Sequence, residues 1–391
     1  MPQGVRVRVS PPAQIHFHLM IIQEFTCKEI KKEVDEISFS WESPSNIALV
    51  KYWGKNSDQT PKNPSISFTL SDCKTKTSVS FKRKVNKSDN IDFELLFEGE
   101  KNISFRPKIE KFFSLTKNYC PFLLDYHLAI SSSNSFPHSS GIASSASGMS
   151  ALSLCIMSLE KELTSINDDF FFKKASFISR IGSGSACRSL YGGINFWGSH
   201  SDFAFSSNLY STQISDNISA EFKNYRDVIL IIDDSKKEVS SSVGHELMNN
   251  NPFSDVRFKK ANNNISKLMN ILKSGDLNEF CKLVESEALM LHALMMSSNP
   301  SYILMKPATL SVIDKIRQFR MNSKIPVCFT LDAGANVHIL FPEKLSEEVM
   351  VFIKEELSPF CINQNYISDF VGSGPVPVSY THLTLPTIYS V

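Results

Sequence analysis

The chain has 391 residues, and its 41 basic and 40 acidic side chains give a formal net charge of +1. A charge so close to zero, with no long block of one sign, argues against a protein that binds nucleic acid. No apolar run approaches the roughly 18 residues that a membrane-spanning helix requires, so a membrane partner is not expected either. The length and the 42% hydrophobic content favour two domains and a small-molecule substrate.

The eight cysteines are scattered through the chain without a Cys-X-X-Cys pair. Cys155, Cys281 and Cys328 lie inside apolar segments, where a reduced and buried thiol is the usual state. The apolar run LMII near the start is too short for a signal peptide. We therefore expect a cytoplasmic protein.

The first patterned segment, residues 38–55, follows residues 1–37, which show no periodicity and are expected to be a peripheral extension. The apolar residues IALV indicate a strand that runs directly into Lys51 and Tyr52. Strands often end in solvated lysines, so this cationic and aromatic end also has an ordinary interpretation. The alternating polar and β-branched residues of 63–81 then predict two strands or a hairpin.

A strand predicted over residues 126–137 leads into a serine-rich loop, Ser131 to Gly148, which is followed by an apolar helix. The glycines permit tight turns, and the hydroxyls and amides can bind anionic oxygens at the helix N-terminus. The loop matches neither the GxGxxG nor the GxxxxGK(S/T) fingerprint. It is either a phosphate-binding loop or a flexible linker, and the helix behind it favours the first.

A second cluster of small residues, 182–186, ends at Cys187 and Arg188. An arginine beside glycines and hydroxyls can hold a phosphate or a carboxylate through two parallel hydrogen bonds. A loop arginine is more often a surface ion-pair partner, so the assignment depends on the residues around it.

The second half of the chain is predicted to begin with a strand over residues 226–234. Two helices follow within 256–296, separated near Gly275, and a further helix covers 310–320. Residues 326–341 then indicate a strand, a glycine-containing turn and a second strand.

Asp332 ends the first strand of that last pair. In the ordinary interpretation it is a turn residue, because Asp and Gly favour turns for conformational reasons. Opposite a phosphate-binding loop, the same carboxylate can act as a general base. Residues 376–391 contain two prolines and no amphipathic period, so we expect an unstructured or non-native tail there.

Four of these segments together resemble the diphosphomevalonate decarboxylases, a family of the galactokinase, homoserine kinase, mevalonate kinase and phosphomevalonate kinase (GHMP kinase) superfamily. The segments are SPSNIALVKYWGK at 43–55, SSNSFPHSSGIASSASG at 132–148, SRIGSGSACRSLYGG at 179–193 and FTLDAGANVHIL at 329–340. The resemblance implies an α+β, two-domain GHMP kinase fold. A nucleotide-binding domain like ribosomal protein S5 domain 2 would cover residues 38–222, and a ferredoxin-like domain would cover 223–375, with the active cleft between them.

The resemblance also implies a reaction of the mevalonate pathway of isoprenoid biosynthesis. ATP, accompanied by Mg²⁺, would phosphorylate the tertiary C3 hydroxyl of mevalonate 5-diphosphate. Phosphate and carbon dioxide would then leave to give isopentenyl diphosphate. A homodimer is the assembly that the resemblance implies.

Residue roles carry over at the matching positions of the four segments. Asp332 would take the proton of the C3 hydroxyl, Lys51 would lie beside that carboxylate, and Arg188 would bind the carboxylate of the substrate. Further substrate-binding residues would be Tyr52, Ser183, Ser185 and Lys74. The nucleotide-binding residues would be Ser139, Ser140, Gly141, Ser144, Ser145 and Lys55, and the resemblance indicates no metal ligand.

Two positions depart from the pattern that relatives show. Where many of them read PTAAG, this chain reads PHSSG at 137–141, so His138 is a candidate for altered loop packing or nucleotide preference. Lys74 stands where several relatives place an arginine.

Two alternative functions use the same residues. A sibling enzyme that acts on mevalonate or its 5-phosphate, as a decarboxylase or as a kinase that stops after phosphorylation, would share the site. A catalytically inactive metabolite-binding protein would be expected to lack Asp332, Lys51 or Arg188, and the chain has all three.

Overall fold

The computed structural model of the chain describes residues 23–101, 104–137, 142–235 and 239–378. The larger of its two sheets contains the strands β1 (Glu36–Val50), β2 (Ser65–Arg83), β3 (Asp92–Phe97), β4 (Glu100–Lys101), β5 (Tyr126–Asn134), β6 (Ile194–Trp197), β7 (Ser211–Ile214) and β12 (Val376–Pro377). Their order is β12-β1-β2-β5-β3-β4, with β6 paired to both β2 and β7. β3 runs parallel to β5, whereas β1, β2 and β5 are antiparallel neighbours.

The helices packed on this sheet are α1 (Arg106–Thr116), α2 (Ser144–Thr164) and α3 (Asp168–Gly182), followed by a 3₁₀ turn at Gly184–Ser189. α2 is buried on nearly all sides. Two of its serines bind it to the sheet, because Ser147 bonds to Thr75 at 2.6 Å and Ser150 to Ser43 at 2.6 Å. Part of the serine-rich sequence therefore has a structural role.

The smaller sheet contains β8 (Tyr225–Leu230), β9 (Cys328–Leu331), β10 (Val337–Pro342) and β11 (Tyr366–Phe370), in the antiparallel order β11-β8-β10-β9. The helices in this half are α4 (Ser241–Leu247), α5 (Ser254–Ser274), α6 (Leu277–Met296), α7 (Pro307–Ser323) and α8 (Ser346–Phe352). This architecture is the α+β class that the resemblance implied. No helix in the described ranges is long and apolar enough to cross a bilayer.

The break between α5 and α6 lies where the sequence predicted it. Gly275 adopts φ +77°, a left-handed conformation that ends α5 and that residues with a side chain rarely adopt. The Asp276 carboxylate then accepts hydrogen bonds from the backbone N–H groups of Asn278 and Glu279, at 3.1 and 3.0 Å, and begins α6. Local chain chemistry alone therefore fixes this boundary.

The prediction of two strands or a hairpin over residues 63–81 is wrong, because β2 is one strand of 19 residues. Its pairing with β1 is interrupted between Thr69 and Lys74, and the strand continues. At the interruption the Asp369 carboxylate accepts the backbone N–H groups of Ser71, Asp72 and Cys73, at 2.8, 2.9 and 2.7 Å. A carboxylate that is distant in sequence replaces the lost ladder hydrogen bonds, so no turn is needed.

Both expected extensions contribute to the fold. Phe25, within the segment predicted to be peripheral, is fully buried, and its ring stacks on Phe177 at 4.1 Å. At the other end, β12 lies in the predicted tail and pairs Val376 with Glu42 of β1. One buried ring and a two-residue strand produce no periodic pattern in a sequence. The burial of Phe25 and the pairing of β12 were therefore not predicted.

Four hydrophobic clusters form the core of the described structure, and the smallest of them groups Trp53 with Met248, Leu291 and Met295. One lies between the larger sheet and α2 and α3, and another between the smaller sheet, α7 and α8. The third joins the halves, because Phe68 and Ile194 of the larger sheet share it with Tyr225, Leu268 and Phe280. The two sheets are therefore connected by a continuous apolar interior.

We predict that Phe25→Ala destabilises the protein by about 3–5 kcal/mol, since it removes a fully buried aromatic ring from a packed core. The free energy of unfolding from urea denaturation measures the effect. Ile30→Ala is the control, because Ile30 is 45% exposed and should change the stability by less than about 1 kcal/mol. Equal stabilities of the two variants would contradict the assignment of Phe25 to the core.

Candidate active site

The ends of three elements converge in a cleft between the halves of the molecule. Lys51 follows β1, Asp332 follows β9, and Arg188 lies in the 3₁₀ turn after α3. Asp332 and Arg188 both lie close enough to Lys51 to affect its pKa. The structure therefore brings together the three residues that the sequence predicted to be catalytic.

The ammonium group of Lys51 is buried without a hydrogen-bond partner among the described residues. Burial lowers the pKa of Lys51 to about 8, although the negative charges of Asp332 and Glu287 partly oppose this shift. An ammonium group in this state lacks the acceptors that water would provide. It is suited to a ligand that supplies anionic oxygens.

Glu287 of α6 holds the backbone of this lysine. Its Oε2 accepts the backbone N–H of Lys51 at 2.9 Å, and the same carboxylate accepts Arg257 Nη2 and Asn264 Nδ2, each at 2.5 Å. On the other side of the lysine, Asn63 donates its amide to the Lys51 carbonyl at 2.9 Å. Glu287 was not found from the sequence, because a glutamate within an amphipathic helix shows no sign of its tertiary partners.

Arg188 is oriented by two serines of β2. Its Nε donates to Ser67 Oγ at 3.1 Å and its Nη1 donates to Ser65 Oγ at 2.7 Å, from residues on the same side of the strand. The guanidinium also lies over the Trp197 ring, 5.6 Å from its centre. In the described structure Nη2 donates to no residue, so this part of the guanidinium is available to a ligand.

Aromatic rings line the cleft next to Arg188. The Tyr52 ring lies 4.7 Å from that of Trp197 and 4.4 Å from that of His245. Burial raises the pKa of Tyr52, so its hydroxyl stays protonated and can donate a hydrogen bond. Tyr52 therefore lies beside Arg188 with a hydroxyl that can donate a hydrogen bond.

The two clusters of small residues meet at the start of α2. Ser145 Oγ and Ser183 Oγ are 3.3 Å apart, and Ser144 is the first residue of the helix. The Ser185 carbonyl accepts the side-chain amide of Asn46 at 3.1 Å. The end of the serine-rich loop and the cluster at 182–186 are therefore adjacent, while His138, Ser139, Ser140 and Gly141 lie outside the described residues.

Lys55 lies at the rim of the cleft, where its Nζ donates to Gln59 Oε1 at 2.7 Å. Partial burial lowers the pKa of Lys55, and the nearby Lys111 of α1 lowers it further. Two neighbouring ammonium groups repel each other unless an anion lies between them. This rim is therefore favourable for phosphate groups.

Lys74 does not join the other predicted substrate residues. Alternate residues of a strand face opposite sides, and Thr75 faces α2 through its bond to Ser147. Lys74 therefore points away from α2, where its Nζ lies 3.8 Å from the carboxylate of Glu42. The strand pleat and this ion pair place the Lys74 side chain on the face of β2 opposite α2, and its contact with the substrate stays a prediction.

A cavity of about 100 Å³ opens beside the start of α2. Its lining combines apolar side chains with the first residues of that helix. The lining residues are Thr75, Thr77, Leu95, Phe97, Phe105, Lys108, Ile109, Ile130, Ser132, Asn134, Ser144, Ser145, Gly148, Met149 and Leu152. An apolar pocket next to a helix N-terminus fits a ligand with a flat ring at one end and phosphates at the other.

Family models match most of the chain. The diphosphomevalonate decarboxylase-like N-terminal domain matches residues 43–208, and the mevalonate 5-diphosphate decarboxylase C-terminal domain matches residues 227–376. The diphosphomevalonate decarboxylase of Saccharomyces cerevisiae is 30% identical over 332 residues, which cover 80% of this chain and 79% of the relative.

Solved structures agree with these matches. A mevalonate diphosphate decarboxylase from Staphylococcus aureus aligns with a TM-score of 0.75 and 27% identity, covering 88% of this chain and 98% of that one. A structure described as MDDEF in complex with MVAPP, AMPPCP and magnesium aligns with a TM-score of 0.75 and 26% identity, covering 88% and 100%. The chain therefore belongs to the diphosphomevalonate decarboxylase family.

Proposed function

We propose that this protein catalyses the ATP-dependent decarboxylation of mevalonate 5-diphosphate to isopentenyl diphosphate, releasing ADP, phosphate and carbon dioxide. One observation carries the proposal: a lysine and an arginine meet a carboxylate in one cleft, and among the described residues the Lys51 ammonium has no acceptor and Arg188 Nη2 has no partner. The three groups match the needs of a substrate with a hydroxyl to be phosphorylated and a carboxylate to be lost.

In the first step, Asp332 accepts the proton of the C3 hydroxyl as that oxygen bonds to the terminal phosphorus of ATP and ADP leaves. The Lys51 ammonium lies beside the reacting oxygen and stabilises its negative charge. His292 Nε2 donates to the Asp332 backbone carbonyl at 3.1 Å, which helps to fix the residue after β9. Positioning and electrostatics supply the catalysis.

In the second step, the C3–O bond breaks and phosphate leaves, so positive charge develops on C3. The bond between the carboxylate carbon and its neighbour then supplies the electron pair of the new double bond, and carbon dioxide departs. Arg188 holds the carboxylate in the plane that this requires, since Ser65 and Ser67 fix the plane of the guanidinium and leave Nη2 to donate to the substrate. Tyr52, Ser183 and Ser185 contribute further donors to the substrate.

The nucleotide occupies the cavity beside α2 in this proposal. The apolar lining takes the adenine base, and Ser144 and Ser145 at the helix start, together with Lys55, bind its phosphates. The described residues contain no cluster of three His, Cys, Asp or Glu side chains that would bind a metal by itself. Mg²⁺ is commonly held by nucleotide phosphates with few protein oxygens, so the serine hydroxyls fit it, and it would neutralise phosphate charge.

A cytoplasmic location and a homodimer are part of the same proposal. All eight cysteines are free, and seven of them are buried, which suits a reducing compartment. The homodimer is supported by the family resemblance alone, and light scattering after gel filtration tests it.

The test of the reaction offers the purified protein ATP and Mg²⁺ with mevalonate 5-diphosphate or mevalonate 5-phosphate, side by side. We expect ADP, phosphate and carbon dioxide in equal amounts, with the higher kcat/KM for the diphosphate. ADP without carbon dioxide would reveal a kinase, and a preference for the monophosphate would identify the sibling enzyme.

We predict that Asp332→Asn lowers kcat by about 10²- to 10⁴-fold, because the amide cannot accept the hydroxyl proton. Nucleotide affinity, measured by calorimetry, should stay close to that of the wild type. Asp314→Asn, on the exposed side of α7, is the matched control with unchanged turnover. Normal turnover by Asp332→Asn would remove Asp332 as the base.

We predict that Arg188→Lys lowers kcat/KM by about 10²-fold or more despite its retained charge. A single ammonium group cannot replace a guanidinium that is bound to Ser65, Ser67 and the substrate at the same time. Steady-state kinetics measures the loss. Arg106→Lys, an exposed change of the same kind, serves as the control. Equal kcat/KM values of the two variants would show that the guanidinium of Arg188 is not required.

We predict that kcat/KM falls as the pH rises through about 8, because Lys51 must be protonated and its pKa is lowered to about 8 in the free enzyme. The inflection of kcat should lie at a higher pH, since bound anionic substrate stabilises the ammonium group. A pH–rate series at saturating ATP separates the two quantities. A kcat/KM that stays constant up to pH 9.5 would exclude a role for protonated Lys51.

A further inference from the structure

A histidine outside the sequence-predicted site lies in the same cleft. His245, near the end of α4, is 8% exposed and crosses from the second half of the chain to the segment after β1. Its ring lies 4.4 Å from that of Tyr52 and 4.4 Å from that of Trp53. The preceding Gly244 permits this approach, since a Cβ there would lie 2.5 Å from the Trp53 ring.

The hydrogen bonding of this ring fixes its tautomer. The backbone N–H of Gly54 donates to Nδ1 of His245 at 2.9 Å, so Nδ1 carries no proton and Nε2 carries one. Burial, with the charge of the nearby Lys55, lowers the pKa of His245 to about 3. The imidazole is therefore neutral at working pH, and its Nε2 is a hydrogen-bond donor only.

This donor has no acceptor in the part of the chain that the structure describes. His200 shows how a structural histidine of equal burial differs. It is also 8% exposed, its Nδ1 accepts the backbone N–H of Asp202 at 3.1 Å, and its Nε2 lies 3.1 Å from the carbonyl of Asn262. Both ring nitrogens of His200 have hydrogen-bond partners, whereas Nε2 of His245 has none among the described residues.

The surroundings of His245 indicate the kind of ligand that its Nε2 meets. Lys55, Asp332 and Arg188 all lie close enough to affect its pKa, and Lys55 has the largest effect of the three. Arg188 is committed to the substrate carboxylate, and Asp332 to the C3 hydroxyl. The remaining charged group of the substrate is the diphosphate, which the proposed function puts on the Lys55 side of Tyr52, next to the ATP phosphates that Lys55 also binds.

We propose that His245 is a substrate-binding residue whose Nε2–H donates a hydrogen bond to an oxygen of the 5-diphosphate, while its Nδ1 holds the Gly54 backbone between Tyr52 and Lys55. The proposal rests on the proposed function, because it names the substrate group that this part of the cleft binds. It gives His245 no part in proton transfer.

Two substitutions distinguish the role of Nδ1 from the role of Nε2. His245→Asn retains an acceptor near the position of Nδ1 and loses the Nε2 donor, whereas His245→Gln places an amide donor near Nε2 and loses the Nδ1 acceptor. His200→Asn is the matched control, because it makes the same change at a histidine of equal burial outside the cleft. Circular dichroism and thermal melting establish that each variant is folded.

We expect His245→Asn to raise KM for mevalonate 5-diphosphate about tenfold or more, the effect of losing one hydrogen bond to a charged group, with kcat and KM for ATP nearly unchanged. His245→Gln should recover most of the affinity, and His200→Asn should match the wild type. A purely structural role gives the reverse order: His245→Asn near wild type and His245→Gln impaired.

Calorimetric titration with mevalonate 5-diphosphate, without nucleotide, distinguishes a failure of this proposal from a failure of the proposed function. If the wild type binds this compound without converting it, the proposed decarboxylation is wrong. The Kd values of the variants then still test whether His245 binds the diphosphate. A Kd and KM of His245→Asn equal to those of the wild type would overturn the proposal, as would wild-type protein that does not bind the compound.

Discussion

The Lys51 ammonium group is the constraint around which the cleft is arranged. A buried charge without a hydrogen-bond acceptor costs several kcal/mol, and such a cost persists only where the surrounding structure holds the residue in place. Glu287 provides that restraint through the backbone of Lys51, from a helix in the other half of the molecule. The unsatisfied group is stabilised when anionic oxygens arrive, so binding energy is concentrated at the reacting centre.

Each of the other charged groups is restrained by a different neighbour. Hydroxyls of β2 orient Arg188 and leave its Nη2 without a partner among the described residues, and the Gly54 backbone sets the tautomer of His245. Restraints of this kind reduce the entropy lost when substrate binds, because the side chains already occupy their working positions. They also give the two ends of the substrate different binding groups. The planar guanidinium of Arg188 suits a carboxylate, and single N–H and O–H donors suit phosphate oxygens.

Lys51 and Asp332 could be proposed as site residues from the sequence, because each directly follows a predicted strand and that arrangement is visible in a few neighbouring residues. Helices corresponding to α2, α5, α6 and α7 were also predictable from apolar spacing and from caps. Glu287 and His245 were not, because their roles depend on partners more than 190 positions away along the chain. The side of β2 on which Lys74 lies was also unpredictable, since it depends on strand pairing and not on the lysine itself.

The short strand β12 and the shared cluster around Phe68 and Tyr225 determine how the chain folds as a whole. The last described strand returns from the second half to pair with the first strand, and apolar residues of both sheets complete one interior. Each half has an apolar cluster of its own, but the shared cluster is buried only when both halves are present, so folding of one half stabilises the other. The boundary at 222/223 therefore marks a change of sheet across a shared apolar interior, and the cleft is assembled only when both halves have formed.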